Sequence, residues 1–183
     1  MNNLNPLKAQ PYSMKILFVI ASDRFLDMGY TVPKKLLEEH GIECITASTS
    51  KGTCYGMQGE IAQADLALNE VDPAEFDGIV IAGGIGCQDE LWRNEKLIDI
   101  TNKIGASGKL AAAICLAPVI LGEAGLLAGK KTACFETPAT IRVLTLDKAE
   151  ISHDKVVTDG TIVTAKTPFD AEEFGHAILS VLL

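Results

Sequence analysis

The cysteine at position 115 stands at a junction whose composition suits nucleophilic chemistry. Leu110–Ile114 is an apolar run with the character of a buried strand, and Pro118 follows where a first helical turn begins. Small residues, Ala113 and Ala117, lie two positions away on either side of Cys115. This pattern predicts a nucleophile elbow, a strand-to-helix turn too tight for bulky neighbours.

The chemistry expected at Cys115 is that of a thiolate, which is the reactive form of cysteine. The N-terminal end of a helix carries partial positive charge and free N–H groups, so we expect it to favour the thiolate. The alternative is a buried cysteine that acts as a small hydrophobe in a parallel strand. The junction and its small flanks favour the reactive thiol.

A pair of glycines, Gly83 and Gly84, follows a second apolar run. Their backbone N–H groups, together with that of Leu116, are predicted to form an oxyanion hole beside Cys115. A tight turn that simply requires glycine is a compatible interpretation.

The same segment partly resembles a dinucleotide-binding fingerprint. Gly-Ile-Gly at 84–86 matches its first half, but Asp89 occupies the position of the last glycine. The sequence therefore argues against a nicotinamide cofactor, and we expect no cofactor.

A thiol nucleophile normally needs a base or a charged partner. Asp23 and Asp27 follow the first predicted strand, and Asp89 and Glu90 follow the glycine pair. Each is equally interpreted as a solvated loop charge or a helix-start residue. The three histidines are expected to have surface or packing roles; they are His40, His153 and His176.

Composition limits the classes of function. The 183 residues are 48% hydrophobic and 22% charged, as in an ordinary globular protein. A net charge of −8 argues against nucleic acid and anionic membranes as partners. The five cysteines form no C-x-x-C pair, which predicts free thiols in a reducing cytoplasm, and no histidine pairs with them at metal-ligand spacing.

Strand-like and helix-like segments alternate along the chain. Strands are predicted over 15–21, 43–48, 78–82, 110–114 and 130–133, and helices over 32–40, 90–104, 119–124, 138–144 and 169–182. An irregular β-ribbon is expected over 51–68, and Asp159-Gly160 predicts a hairpin. Residues 1–13 are interpreted as a flexible extension and 14–183 as one domain.

This alternation predicts an α/β fold with a doubly wound, mainly parallel sheet between two layers of helices. In such sheets the working site lies beyond the C-terminal ends of the strands. Three loops meet there, namely 22–30, 83–89 and the elbow at Cys115.

Several motifs together resemble the ThiJ/PfpI superfamily, which includes the Parkinson's-associated deglycase and archaeal intracellular proteases. The motifs are Met14-Lys-Ile-Leu-Phe-Val, Tyr30-Thr-Val-Pro33, Glu75-Phe-Asp-Gly-Ile-Val-Ile-Ala-Gly-Gly84, Ala112-Ala-Ile-Cys-Leu-Ala-Pro118, Asp159-Gly160, Thr164-Ala-Lys-Thr-Pro168 and Glu173-Phe174. The resemblance covers residues 14–183. It implies a flavodoxin-like sandwich, close to class I glutamine amidotransferase domains, that forms homodimers or higher homo-oligomers. It also implies that Cys115 is the elbow cysteine and that Gly83 and Gly84 form the backbone-donor turn.

The chain departs from the pattern of this family at three positions. The family glutamate four residues before Pro33, whose carboxyl hydrogen-bonds the elbow sulfur, is replaced by Gly29. Leu116 stands where protease-like members have histidine, and Phe135 stands where histidine or tyrosine is frequent. The resemblance therefore implies that a peptidase mechanism is disfavoured most, because it needs the missing histidine. A glyoxalase or deglycase mechanism is also disfavoured, because it needs the missing glutamate as its acid or base.

Three hypotheses follow. In the first, a cysteine-dependent hydrolase or lyase adds Cys115 to a small reactive carbonyl, such as a 2-oxoaldehyde or its protein adduct, with Asp27 in place of the missing glutamate. In the second, Cys115 serves a non-enzymatic oxidative-stress sensor or chaperone-like module. In the third, the domain is a degenerate scaffold that binds a ligand or partner without chemistry.

Overall fold

A computed structural model describes residues 13–183, so all of the predicted N-terminal extension except Ser13 lies outside the described residues. The strands are β1 (Lys15–Val19), β2 (Asp23–Phe25), β3 (Glu43–Ser48), β4 (Gly52–Gly56), β5 (Ile61–Ala64), β6 (Leu66–Ala67), β7 (Gly78–Ile81), β8 (Leu110–Ile114), β9 (Lys131–Thr132), β10 (Glu150–Ile151), β11 (Val156–Asp159) and β12 (Ile162–Ala165). The helices are α1 (Asp27–Glu39), α2 (Glu95–Ala106), α3 (Pro118–Glu123), α4 (Pro138–Leu146) and α5 (Ala171–Leu182).

The central sheet has the strand order β11-β12-β8-β7-β1-β3-β6. Its neighbours pair in parallel except β11, which pairs antiparallel with β12. Phe18 in β1 lies opposite Thr46 in β3 and Val80 in β7. The predicted α/β class with a mainly parallel sheet is therefore confirmed, as is the hairpin at Asp159-Gly160.

Helices cover both faces of this sheet because its strands are apolar on both sides. Ile16 and Phe18 of β1 pack in one core cluster with residues of α1 and α5. Leu17 and Val19 pack in the opposite cluster with residues of α2 and α3. This alternation follows from the two-residue period of a strand, and it explains why β1 is uniformly apolar.

The β-ribbon predicted over 51–68 is present as the antiparallel pair β4 and β5, followed by the short β6. The pair joins β2 in a second, three-stranded sheet. This small sheet stands beside the loop that follows β1, so the ribbon supports one of the three loops predicted to form the site.

Helix α1 begins at Asp27 and not at residue 32 as predicted. Pro33 therefore lies inside the helix, where it leaves the carbonyl of Gly29 without an i+4 N–H donor. The sequence rule that places proline in a first turn was wrong here; the helix starts earlier, and Tyr30 in its added first part is buried in the core.

The helix predicted over 90–104 is divided into two elements. A π-helical turn covers Cys87–Leu91, and α2 starts after Asn94, whose side chain caps it by accepting the N–H of Leu97 at 3.0 Å. The predicted terminal helix is likewise divided into a short 3-10 turn at Pro168–Asp170 and α5. Among the helices formed by residues 13–183, none combines the length and apolar character that a membrane crossing requires.

Candidate active site

Cys115 directly follows β8 and has a φ of 67°, in the left-handed region that side chains other than glycine rarely adopt. Such a conformation costs roughly 1–3 kcal/mol and persists only where neighbours enforce it. Here the Cys115 N–H donates to the Ala165 carbonyl at 2.9 Å, and its carbonyl accepts the Phe135 N–H at 2.8 Å. The strand-to-helix turn predicted at Cys115 is therefore present, and it is held from both sides.

The sulfur of Cys115 is enclosed, because the residue is only 6% exposed. Burial raises the pKa of the thiol, and hydrogen bonds from the backbone N–H groups of Gly84 and Leu116 oppose that rise. No charged group among residues 13–183 contributes to the shift. The helix N-terminus was expected to favour the thiolate, but the pKa of Cys115 is raised, because desolvation outweighs the two donors.

The two glycines at the site have different roles. The backbone N–H of Gly84 opposes the rise in the pKa of the Cys115 thiol, and the φ of Gly84, 98°, places it in the left-handed region. Gly83 allows close packing, because a Cβ there would lie 2.6 Å from the Ile114 carbonyl oxygen and 2.8 Å from Cys115 Cβ. The predicted oxyanion-hole role of Gly83, Gly84 and Leu116 stays a prediction, and the structure adds that Gly83 leaves room for the elbow.

Trp92 contacts the elbow from the side and was missed by the sequence reasoning. Its indole Nε1–H donates to the Leu116 carbonyl at 2.8 Å. A half-buried tryptophan needs an acceptor for this N–H, and that was the one signal available in the sequence. Its partner could not be read from the sequence, since Trp92 and Leu116 are 24 positions apart.

Asp27, the candidate stand-in for the missing glutamate, is engaged elsewhere. Its two carboxylate oxygens accept the backbone N–H groups of Gln58 and Glu60, each at 2.9 Å. The side chain also packs against Gly56, where a Cβ would collide with it. Asp27 therefore closes the turn between β4 and β5, and this placement argues against the acid–base role expected for it.

The other acidic candidates link the loops around the site. Asp89 forms a 2.7 Å ion pair with Arg24, and Glu90 accepts hydrogen bonds from the hydroxyl of Ser22 and the N–H of Asp23. These contacts join the loop after β1 to the segment after β7. The three histidines are exposed, as expected, and contact other groups: the Leu36 carbonyl for His40, Glu136 for His153 and Glu172 for His176.

Gly29 lies next to the elbow. A Cβ built on Gly29 would come within 3.1 Å of Ile114 Cγ2, on the residue that precedes Cys115, and within 2.7 Å of Leu26 Cδ2. The position that the resemblance assigns to a carboxyl group is thus beside the elbow, and hydrocarbon fills it.

Two further cysteines, Cys87 and Cys134, are close enough to interact electrostatically with Cys115. Burial raises the pKa of both thiols, that of Cys134 to about 11. All five cysteines of the chain are free, in agreement with the prediction from their spacing. Within residues 13–183, no three or more His, Cys, Asp or Glu side chains are grouped so as to hold a metal ion.

A cavity of about 830 Å³ lies between α3, α4 and the segment that contains Trp92. Its apolar wall includes Val119, Val143 and Leu146, and its charged residues include Glu123 and Asp147. A smaller cavity of about 150 Å³ lies between the start of α1, the turn between β4 and β5, and the segment at Phe169; its lining includes Leu26, Met28, Met57 and Phe169.

The sequence of residues 14–181 matches the model of the DJ-1/PfpI family. The chain belongs to this family. The family, and the resemblance inferred from the motifs, are therefore established, while the roles of individual site residues stay predictions.

Relatives of known name support the same assignment. The chain is 36% identical over 180 residues to the uncharacterized protein MJ0967 of Methanocaldococcus jannaschii, covering 98% of this chain and 88% of that protein. It is 35% identical over 157 residues to the deglycase PH1704 of Pyrococcus horikoshii, covering 86% and 92% of the two chains. The crystal structure of a ThiJ/PfpI domain protein from Brachyspira murdochii superposes with a TM-score of 0.87 at 32% identity, covering 93% and 98%.

Proposed function

We propose that this protein is a cysteine-dependent enzyme of the deglycase or glyoxalase type, which acts on small reactive carbonyls or on their protein adducts. Cys115 is the nucleophile in this proposal, and the N–H groups of Gly84 and Leu116 stabilise the oxyanion. The name of the Pyrococcus horikoshii relative, a deglycase, supports the substrate class. The observation that carries the proposal is the left-handed conformation of Cys115 directly after β8; the backbone N–H groups of Gly84 and Leu116, which oppose the rise in the pKa of its thiol, support it.

The first step follows from this geometry. The sulfur of Cys115 attacks the aldehyde carbon of a 2-oxoaldehyde, an S–C bond forms, and the π electrons of the C=O bond move to its oxygen. The thiol proton ends on that oxygen, so the product is a neutral hemithioacetal and no oxidant is required. Donors fixed in advance near the sulfur stabilise the developing negative charge without reorganisation.

The rate of this step is limited by the scarcity of thiolate. Burial raises the pKa of Cys115, and hydrocarbon from Leu26 occupies the place beside Gly29 where a carboxyl group would assist. We therefore expect slow turnover, and a peptidase activity is less favoured because Leu116 offers no imidazole.

The test is turnover of methylglyoxal and of methylglyoxal-treated peptide by the wild type, Cys115→Ser and Cys44→Ser. Cys44 is the matched control, because it is a partly buried thiol in β3, which β1 and β7 separate from β8 in the sheet. The proposal expects turnover in the wild type and in Cys44→Ser, and only the background reaction in Cys115→Ser. Equal turnover in all three proteins would refute it.

Oxidation sensing is a second candidate, favoured by the same two donors. Reaction of the Cys115 thiol with hydrogen peroxide gives a sulfenic acid and water, and backbone N–H groups can hold the added oxygen. Mass spectrometry after mild peroxide should then show oxidation concentrated on Cys115. Equal oxidation of all five cysteines would contradict this function.

We further infer a cytoplasmic location and assembly into homodimers or higher homo-oligomers. The free cysteines support a reducing compartment. Exposed apolar side chains near the smaller cavity support self-association, since Phe169 is 86%, Met57 42% and Met28 40% exposed. Light scattering during size-exclusion chromatography would test the assembly, and a monomer at micromolar concentration would contradict it.

A further inference from the structure

One segment anchors both backbone donors that face Cys115. The N–H of Cys87, at the start of the π-helical turn, donates to the carbonyl of Gly84 at 3.1 Å. The indole N–H of Trp92, just after this turn, donates to the carbonyl of Leu116 at 2.8 Å. The residues whose N–H groups reach the sulfur are therefore both held through their own carbonyls.

The position of Trp92 is itself fixed by bonds on either side. Its backbone N–H donates to the Cys87 carbonyl at 3.0 Å and closes the π-helical turn. The next residue, Arg93, has a φ of 60°, and its N–H donates at 2.8 Å to the carboxylate of Glu123 at the end of α3. A π-helical turn contains one residue more than an α-turn, and such turns are frequent at functional sites.

We propose that Trp92 is a positioning residue for the elbow, which acts through the backbone of Leu116. The indole N–H holds the Leu116 carbonyl, which belongs to the peptide after the one that carries the Leu116 N–H. By fixing this second peptide it limits the backbone rotations of Leu116 and so keeps the Leu116 N–H beside the thiol of Cys115. This inference rests on the proposed function and deepens it, since it concerns what holds the backbone donors beside the reactive thiol.

The ring of Trp92 also forms part of the wall of the 830 Å³ cavity, so a purely structural role must be separated from positioning. The two roles depend on different atoms. The hydrogen bond needs Nε1–H, whereas packing needs the aromatic surface. Trp92→Phe removes the indole N–H and keeps most of the aromatic surface. It therefore leaves the buried Leu116 carbonyl without its hydrogen-bond donor.

The experiment is the pH dependence of iodoacetamide alkylation at Cys115, followed by mass spectrometry. In Trp92→Phe we expect the midpoint to rise by about 0.5 pH units, which corresponds to about threefold slower alkylation at a fixed pH below the midpoint. The matched control is Leu146→Ala, which changes the same cavity wall on α4 and should leave the midpoint unchanged. An unchanged midpoint in Trp92→Phe, or equal shifts in both variants, would overturn the proposal.

A second measurement uses the unmodified wild-type chain, in which Trp92 is the single tryptophan. Alkylation of Cys115 should shift the Trp92 fluorescence emission, and the same treatment of Cys115→Ser should not. Identical emission before and after alkylation would also overturn the proposal, even if Trp92→Phe fails to fold. Neither measurement requires turnover, so failure of the proposed enzymatic function would be recognised separately.

Discussion

The side chain of Leu26 fills the space beside Gly29, where a Cβ would lie only 2.7 Å from Leu26 Cδ2. Leu26 is 8% exposed, and its backbone N–H donates to the Gly83 carbonyl at 2.9 Å, so it belongs to the framework of the site. The place that the family pattern assigns to a carboxyl group therefore contains hydrocarbon. This arrangement agrees with the raised pKa of Cys115, whose first cause is burial.

A carboxyl group restored at this place should activate the thiol. In the double variant Leu26→Ala/Gly29→Glu, the smaller residue provides room, and a protonated carboxyl group can donate to the thiolate. We expect the midpoint of Cys115 alkylation to fall by about one pH unit relative to the wild type. Leu26→Ala/Gly29→Leu is the control, because it adds similar volume without a carboxyl group.

The single variant Gly29→Glu should instead lose stability, by about 1–3 kcal/mol, because the added side chain overpacks against Leu26. Urea unfolding would measure the loss. A midpoint in the double variant that matches the leucine control would show that position 29 does not act on the sulfur.

Gly84→Ala should be strongly destabilising, by about 2–4 kcal/mol. The residue has a φ of 98°, and a Cβ there would lie 2.6 Å from the backbone oxygen of Arg24. Gly41→Ala is a matched control with a φ of 77° and open space around the new Cβ, so only about 1 kcal/mol should be lost. Similar losses in urea unfolding would mean that the close contact at Gly84 is unimportant.

Asp147→Asn should stabilise the protein at neutral pH. Asp147 follows α4 at its C-terminal end, one carboxylate oxygen is buried without a donor, and burial raises its pKa above the ordinary value of 3.8. Between that value and the raised pKa, the folded state binds more protons than the unfolded state. The free energy of unfolding of the wild type therefore falls as pH rises through this window.

The stability gain of Asp147→Asn should accordingly be present at pH 7 and vanish near pH 3, where the carboxyl is protonated in both states. Urea unfolding at several pH values would measure it. The exposed Glu150→Gln serves as the control for a general change of net charge. A gain of equal size at pH 3 and pH 7 would contradict the burial argument.

Asp27→Ala should destabilise the turn between β4 and β5, since two backbone N–H groups lose their acceptor. We expect a loss of about 1–3 kcal/mol and faster hydrogen exchange at Gln58 and Glu60. The pH midpoint of Cys115 alkylation should stay unchanged, because Asp27 supports the ribbon. A shifted midpoint with normal exchange at these amides would restore Asp27 as an acid–base candidate.

Local patterns in the sequence were sufficient to predict most of the framework. Apolar runs placed β1, β7 and β8 with small errors at their ends, because a strand buried on both faces needs a continuous apolar run. Cys115 between small residues and before Pro118 predicted the elbow. These features depend on neighbours in the sequence, so the sequence alone determined them.

Tertiary structure alone decided which groups surround Cys115 and what each of them contacts. It placed Gly83 where a side chain would collide with the elbow, bound the carboxylate of Asp27 to the turn between β4 and β5, and placed Trp92 against Leu116. It also reversed the expected shift of the Cys115 pKa. Each of these outcomes depends on groups far apart in the chain, and on how completely they exclude water, which only the packed fold determines.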